Sequence, residues 1–356
     1  MRPTVFLLYG VDKDSSSLDQ LLERQAQYLS FRNNALDTQE VIVFTTGTKT
    51  VPSLELMEKF RVISLSSRNL SPMAIGLRSV WILWRKFKIR QCFLVIGNPG
   101  VPLISAFFIK LINPKTTIQV SIHTDISQLQ EGGIKNKLKL SILKLLIPIV
   151  DVIRFVSEAQ MFAAKKIVST SGKTIVIAPI PISQISQEIC DMPKEKSVGF
   201  VGRLHQERDV DSWIEIAENF QNLKLFVIGQ GPEKTKIEMR LPHARMLGAL
   251  SAPETIFQLS SFGVLLSTAR YESYGLAIRE ALLCGVPVVS RSTAGIQDLL
   301  MEFPDLIKTF VDIEEAVNEV ENFITNRPDH ARFHQFREWF YKRQGSQIRS
   351  MVNLWR

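Results

Sequence analysis

The sequence predicts an α/β protein of two domains, each built on a parallel sheet with helices on both faces. Short apolar runs alternate with helical segments along the whole chain, which is typical of parallel sheets. The 356 residues are more than one hydrophobic core normally holds. Residues 179–196 contain three prolines and little periodicity, and they separate two such series.

Apolar runs in the first half predict buried strands joined by helices. The strands cover residues 4–9, 41–45, 61–65, 93–96, 117–122 and 152–156. The helices cover residues 19–31, 72–87, 101–112 and 135–148. Together they define a first domain over residues 1–182, and residues 183–196 are expected to form the linker.

The second half repeats this alternation. Its strands are predicted at residues 198–201, 223–228, 245–247, 262–266 and 286–289. Its helices are predicted at residues 211–220, 233–241, 253–260 and from about 274, where Gly285 suits a left-handed helix end and Pro287 cannot prolong the helix. These elements define a second domain over residues 197–339. The aromatic and basic tail, residues 340–356, is expected to form a helix that packs back on the first domain.

The charge of the chain is unevenly distributed. Residues 1–190 carry 23 basic and 13 acidic residues, whereas residues 191–356 carry 20 basic and 22 acidic residues. A basic first half indicates an anionic partner, either a membrane surface or a nucleic acid. No nucleic-acid recognition motif accompanies the charge, so we expect no nucleic-acid partner.

Two basic segments favour the membrane. Residues 134–148 set Lys135, Lys137, Lys139 and Lys144 among leucines and isoleucines, and residues 81–88 combine two tryptophans with basic residues. Such helices can lie in the headgroup layer of an anionic membrane. The alternative is a packing helix whose lysines reach solvent.

The cysteines and the N-terminus predict a cytoplasmic protein. Cys92, Cys190 and Cys284 lie far apart without metal-ligand spacing and are interpreted as reduced thiols. The first apolar run is too short, and too soon followed by acidic residues, for a signal peptide. No run reaches the roughly 18 apolar residues of a spanning helix, so any membrane association should be peripheral.

Charged side chains follow the predicted strands of the second domain. Arg203 comes after Gly202 at a strand end, and Arg208 follows in the same loop. Guanidinium groups there suit phosphate oxygens, although both residues can also be solvated surface charges. The next loop contains Gly229 and Gly231, but Lys at position 234 breaks the dinucleotide fingerprint.

A second strand end carries carboxylates. Glu272 lies in the loop after residues 262–266, and Glu280 lies on the helix that follows. Ionised carboxylates accept hydrogen bonds from vicinal hydroxyls, which suits a sugar or a ribose. Alternatively, both are surface charges, with Glu280 paired to Arg279 or Arg291.

His123 ends a buried strand of the first domain. A histidine there can act as a general acid, contact a phosphate or sugar, or be a satisfied core residue. No second histidine or cysteine lies near enough in sequence to predict a metal site.

Five segments of the second domain resemble, in order, the motifs of the retaining family 4 glycosyltransferases of GT-B fold. They are VGFVGRLHQER, LFVIGQGP, ARMLGAL, ESYGLAIREALLCGVPVV and STAGIQDLL. The resemblance covers about residues 197–300, while the first domain matches only in its alternation and in His123. It implies two Rossmann-like domains facing across a cleft, with a nucleotide-diphosphate sugar bound there. The sequence departs from the family at Arg208, where Lys is usual, and at Gly10 and Gly295, where glycine pairs are usual.

The resemblance also implies roles for individual residues. Arg203 and Arg208 would hold the diphosphate, and Glu280 would accept the ribose hydroxyls. Glu272 would contact the transferred sugar, and His123 would touch that sugar or assist the acceptor. Further donor contacts are expected from Gly10, Gly202, Gly229, Gly231, Leu250, Ser273, Tyr274, Gly275 and Leu276.

The implied function is the transfer of a sugar from a nucleotide-diphosphate sugar to a glycan or lipid-linked acceptor. The resemblance implies retention of configuration, no metal or other cofactor, and a place in cell-surface polysaccharide or lipopolysaccharide synthesis at the cytoplasmic face of the membrane. Two alternatives remain. One is a non-catalytic GT-B partner subunit of another transferase. The other is a nucleotide-sugar epimerase or a dehydrogenase, against which the incomplete glycine fingerprint speaks.

Overall fold

The computed structural model describes residues 4–8, 15–31, 41–46, 55, 60–66, 71–97, 100–123, 126–131 and 133–355. Contacts divide the chain into two compact units. Unit 1 comprises residues 1–181 and 344–356, and unit 2 comprises residues 182–343. Each unit is a parallel α/β domain, which confirms the predicted fold class.

The sheet of unit 1 has seven parallel strands within the described residues. They are β1 (Thr4–Leu8), β2 (Val41–Thr46), β3 (Arg61–Ser66), β4 (Phe93–Ile96), β5 (Thr117–Ile122), β6 (Val152–Phe155) and β7 (Thr174–Ile177). Their spatial order is β3-β2-β1-β4-β5-β6-β7. The first six strands lie where the sequence predicts them, whereas β7 was not predicted. Gly10 lies outside the described residues.

The helices of unit 1 join these strands. They are α1 (Ser15–Ser30), α2 (Pro72–Arg85), α3 (Val101–Ile112), α4 (Ile126–Glu131), α5 (Ile134–Leu146) and α6 (Glu158–Lys165). Serine side chains cap two of them, because Ser71 accepts a hydrogen bond from the amide of Ala74 and Ser157 accepts one from the amide of Gln160, both at 3.2 Å.

The end of the chain belongs to the core of unit 1. Ile348, Met351, Val352 and Trp355 are buried in the same apolar cluster as Phe6 of β1. The indole nitrogen of Trp355 donates to Gln119 Oε1 at 3.0 Å, and Thr4 Oγ1 donates to the Trp355 carbonyl at 3.2 Å. The buried polar groups at this chain end are therefore paired, as burial requires.

Unit 2 contains six parallel strands. They are β8 (Ser197–Val201), β9 (Lys224–Ile228), β10 (Arg245–Gly248), β11 (Val264–Ser267), β12 (Val288–Arg291) and β13 (Ile307–Phe310). The order β10-β9-β8-β11-β12-β13 reverses direction between β8 and β11. This is the Rossmann order, in which ligands bind outside the carboxyl ends of the two strands at the reversal.

Helices flank this second sheet. They are α7 (Gln187–Cys190), α8 (Val210–Ala217), α9 (Lys234–Arg240), α10 (Ala252–Leu259), α11 (Leu276–Leu283), α12 (Gln297–Glu302), α13 (Ile313–Thr325) and α14 (His330–Asn353). Gly285 follows α11 with a φ of 75°, the left-handed ending that the sequence predicts. The predicted linker, residues 183–196, includes α7 and is part of unit 2. Helix α14 is divided between the two units: its residues up to 343 belong to unit 2, and those from 344 onward belong to unit 1.

Cys92, Cys190 and Cys284 are buried and form no disulfide. Across the described ranges, no helix is both long enough and apolar enough to cross a membrane.

Candidate functional site

Arg208 and Glu272 meet where the strand order of unit 2 reverses. Arg208 lies in the loop after β8, and Glu272 lies in the loop after β11. Arg208 Nη1 donates a hydrogen bond to Glu272 Oε1, and both side chains are largely buried. Burial lowers the pKa of Arg208; Glu207 opposes this effect and Arg203 adds to it. A cation and a carboxylate thus share the position at which Rossmann-type domains bind their ligands.

Two glycines bring the loop after β9 against the loop after β8. A Cβ atom on Gly229 would lie 1.8 Å from the carbonyl oxygen of Gly202, and one on Gly231 would lie 2.1 Å from that of Leu204. The amide of Leu204 donates to the Gln230 carbonyl at 2.9 Å. Only glycine permits these approaches, so Gly229 and Gly231 shape the loop that carries Arg203 and Arg208.

Gly295 brings a third loop against Glu272. Its amide donates to the Glu272 carbonyl at 2.7 Å. A Cβ atom there would lie 2.6 Å from that same oxygen and 2.6 Å from the Tyr274 nitrogen. The single glycine of the STAGI segment is therefore the one that this close packing needs.

Arg279 links the loop after β11, which contains Tyr274, to the loop after β12, which contains Gly295. Its side chain is only 1% exposed. Nη1 donates to the carbonyls of Tyr274 and, at 2.9 Å, Gly295, while Nη2 donates to both carboxylate oxygens of Asp298 at 2.7 and 2.9 Å. Its guanidinium carbon lies 3.9 Å from the centre of the Tyr274 ring. Arg279 thus has a structural role that its position in the sequence did not reveal.

The N-terminus of α11 lies between these loops. Gly275 precedes the helix, and among the described residues no side chain caps this end. The helix begins at Leu276, two residues after Tyr274, whose side chain is buried. Ser273 and Leu276 are half-buried on either side, and Glu280 lies one turn along the helix. A helix N-terminus carries partial positive charge and suits an anion.

Arg203 lies at the surface of the site. Its side chain is 73% exposed and pairs with Glu207, four residues further along the same loop. Leu250 follows β10 and is half-buried. Both the phosphate-binding and the solvated interpretation of Arg203 are compatible with this exposure.

A second ion-pair network, which the sequence did not indicate, is centred on Asp209, the residue that follows Arg208. The buried carboxylate of Asp209 contacts Arg270 Nη2 at 3.1 Å and Arg291 Nη2 at 3.2 Å. Burial raises the pKa of Asp209, but hydrogen bonds from Arg270 and Ser212 and the charges of Arg270 and Arg291 outweigh it and hold that pKa below its ordinary value. Arg291 thus forms an ion pair with Asp209, as Arg279 does with Asp298.

His123 follows β5 in unit 1. It is half-buried, and its Nδ1 atom is buried without a hydrogen-bond partner within the described part of the chain. Burial, followed by the charges of Arg154 and Arg24, lowers the pKa of His123 well below 6.5. The imidazole is therefore neutral at pH 7 and suits a hydrogen bond rather than an ion pair.

The described residues contain no group of three or more histidine, cysteine, aspartate or glutamate side chains placed to hold a metal ion.

Residues 184–338 match the family described as Glycosyl transferases group 1. The GDP-mannose-dependent alpha-mannosyltransferase of Corynebacterium glutamicum is 29% identical over 138 residues, which are 38% of this chain and 33% of that protein. The enzyme of the same name from Mycolicibacterium smegmatis is 31% identical over 103 residues, 29% of this chain and 27% of that protein. The chain thus matches a third or less of the length of these relatives.

Solved structures resemble the whole chain. The glycosyltransferase from Rickettsia africae has a TM-score of 0.75 at 10% identity, covering 100% of this chain and 98% of that one. HepE from Anabaena, solved with UDP and glucose, has a TM-score of 0.73 at 12% identity, covering 98% of each chain. These likenesses confirm the predicted GT-B fold.

The close packing around Gly295 in unit 2 predicts that Gly295→Ala is destabilising. The added methyl group would lie 2.6 Å from two backbone atoms, so both loops must move. Overpacking of this kind typically costs about 1–3 kcal/mol of unfolding free energy. Urea denaturation of the variant measures the loss. Gly97→Ala is the control, because a Cβ atom there meets nothing within 4 Å. Equal stability of the two variants would contradict the assigned role of Gly295.

Proposed function

We propose that the protein is a retaining glycosyltransferase that moves a sugar from a nucleotide-diphosphate sugar to a glycan or lipid-linked acceptor. The observation that carries the proposal is the Arg208–Glu272 ion pair at the strand-order reversal, inside the segment that matches the group 1 family. A nucleotide-diphosphate sugar presents phosphates to a cation and hydroxyls to a carboxylate. Both groups are present at one position.

In this proposal the diphosphate replaces Glu272 as the partner of Arg208. Arg203, exposed beside it, adds a second guanidinium once it leaves Glu207. The N-terminus of α11, worth roughly half a positive charge, points its free amides at the same phosphates. The negative charge that develops on the departing phosphate is then stabilised by fixed cations and dipoles, without a metal.

The two glutamates bind hydroxyl groups. Glu272, released from Arg208, accepts hydrogen bonds from the transferred sugar. Glu280, one turn along α11, accepts those of the ribose. Leu250 and the backbone after β10 border the base, and His123, neutral at pH 7, contacts the sugar or the acceptor.

The proposed reaction needs no protein nucleophile. The bond between the sugar's anomeric carbon and the phosphate oxygen breaks, and a bond from that carbon to the acceptor oxygen forms on the same face. The acceptor's proton passes to the leaving phosphate oxygen. Configuration is therefore retained, and the nucleoside diphosphate departs with the proton.

The names of the relatives indicate where to begin with substrates. Two of them are called GDP-mannose-dependent mannosyltransferases, so GDP-mannose is the first donor to test. We propose a glycan or lipid-linked acceptor in cell-surface polysaccharide or lipopolysaccharide synthesis.

Sugar transfer tests this proposal directly. Arg208→Ala and Glu280→Ala should each lower the turnover of a labelled nucleotide sugar by roughly a hundredfold or more, since each removes a contact to the leaving group or the ribose. EDTA should leave the rate unchanged. The control is Arg332→Ala, because Arg332 pairs with Asp305 at 2.6 Å outside these loops. Unchanged turnover in both variants would contradict the site. Absence of any nucleotide binding by the wild-type protein would favour a non-catalytic partner subunit.

We further propose that helices of unit 1 place the protein on the cytoplasmic face of an anionic membrane. Met73, Leu77, Trp81 and Trp84 form one exposed apolar stripe along α2, where Trp81 is 61% exposed. Ile134, Leu138 and Leu145 form another along α5, where Ile134 is 86% exposed. α3 packs against both helices, and none of the three contains an acidic residue. Exposed apolar stripes bordered by lysines and arginines suit anionic headgroups.

Vesicle binding tests this surface. The double variant Trp81→Ser, Leu138→Ser should pellet far less with vesicles that contain phosphatidylglycerol, because each side chain would insert apolar area. Wild-type pelleting should also weaken as salt is raised. Met239→Ser is the matched control, since Met239 is an exposed apolar residue of unit 2. Pelleting that ignores both the substitutions and salt would contradict the proposal.

A further inference from the structure

The backbone of Asp209 adopts a conformation that few side chains favour. Its φ of 49° and ψ of 55° lie in the left-handed region, directly after Arg208. Residues other than glycine are uncommon there, although aspartate and asparagine are tolerated better than most. The residue joins the end of the Arg208 turn to the start of α8. Strained positions of this kind persist only where the surroundings fix them.

Three side chains hold the Asp209 carboxylate in place. It is 6% exposed and accepts hydrogen bonds from Arg270 on Oδ1 and from Arg291 on Oδ2. Ser212, in the first turn of α8, donates to Oδ2 at 3.0 Å. Arg270 and Arg291 follow β11 and end β12, so one carboxylate links three neighbouring strand ends.

The backbone around Asp209 is fastened to the same neighbour. The hydroxyl of Thr268 lies 2.8 Å from the carbonyl of Arg208 and 3.0 Å from that of Asp209, and donates to this pair of oxygens. The amide of Arg270 donates to the Glu207 carbonyl at 3.3 Å. The turn that presents Arg208 is thus attached to the loop that presents Glu272, through side chain and backbone together.

We infer that Asp209 is a positioning residue that fixes the Arg208 guanidinium in the donor site, which is the proposed binding position of the nucleotide-diphosphate sugar at Arg208 and Glu272, and that it holds Arg270 and Arg291 at the neighbouring strand ends. The inference rests on the proposed function. Asp209 itself does not contact the substrate. It acts through Arg208, because the geometry of that turn depends on the Asp209 carboxylate and on its left-handed backbone.

Two substitutions separate the backbone from the carboxylate. Asp209→Gly keeps the left-handed backbone and removes the carboxylate, whereas Asp209→Asn keeps the shape of the side chain and part of its hydrogen bonding. We expect the sugar-transfer rate to fall by roughly tenfold to a hundredfold in the glycine variant, since small displacements of a positioning group have effects of that size. The asparagine variant should retain an intermediate rate.

A double-mutant cycle with Arg208→Ala distinguishes positioning from general structural damage. If Asp209 acts through Arg208, adding Asp209→Gly to Arg208→Ala lowers the transfer rate no further. Multiplying losses in the double variant would overturn the inference, as would a wild-type rate in Asp209→Gly. If the glycine variant does not fold, the cycle is run with Asp209→Asn, and the same two outcomes decide it.

Asp305→Asn is the matched control for loss of a carboxylate. Asp305 accepts two hydrogen bonds from Arg332, at 2.6 and 2.7 Å, outside the donor site, so its substitution should leave the transfer rate unchanged. A wild-type protein that neither transfers a sugar nor binds a nucleoside diphosphate overturns the proposed function, and this role with it. An active wild-type protein with independent losses in the cycle overturns this role alone.

Discussion

The ion pair between Arg208 and Glu272 depends on the strand order of unit 2 and on three of its glycines. It forms because the strand order reverses between β8 and β11, which makes the loops after these strands neighbours. Gly229 and Gly231 shape one side of it by letting the loop after β9 approach, and Gly295 shapes the other. A largely buried cation is costly without a partner, and here a carboxylate supplies one. In the proposed function, a phosphate takes that place.

The charged groups around this pair fall into two kinds. Arg279 with Asp298, and Asp209 with Arg291, are inner pairs in which at least one member is almost fully buried. Their hydrogen bonds go to protein groups on neighbouring loops, so they fix backbone positions. Arg203 differs from these inner pairs, because its side chain is 73% exposed. In the proposed function, Arg203 and Arg208 exchange their carboxylate partners for phosphates, while the inner pairs around them stay in place.

Much of this arrangement was predictable from the sequence. Apolar runs located the strands, and the rule that parallel strands end at one edge of a sheet brought the loops of Arg208 and Glu272 together. Asp209 could not be identified in this way. The sequence does not show its left-handed backbone, and an aspartate beside an arginine is typical of a solvated surface. Arg279 gives no signal of burial in the sequence, because it is a charged residue on a helix; in the structure it is buried and donates to the carbonyl of Gly295 in a separate loop. β13 was missed since only two of its four residues are buried.

The exchange of partners at Arg208 is most directly tested by calorimetric titration of GDP into wild-type protein, Glu272→Gln and Arg208→Ala. Glutamine keeps the shape of Glu272 but no longer holds the guanidinium by charge. GDP has no transferred sugar, so it gains nothing from Glu272 in this account. GDP should therefore bind Glu272→Gln about tenfold more tightly than wild type, and Arg208→Ala about tenfold more weakly, the effect expected of one hydrogen bond to a charged group. Equal affinity in all three proteins would contradict the account.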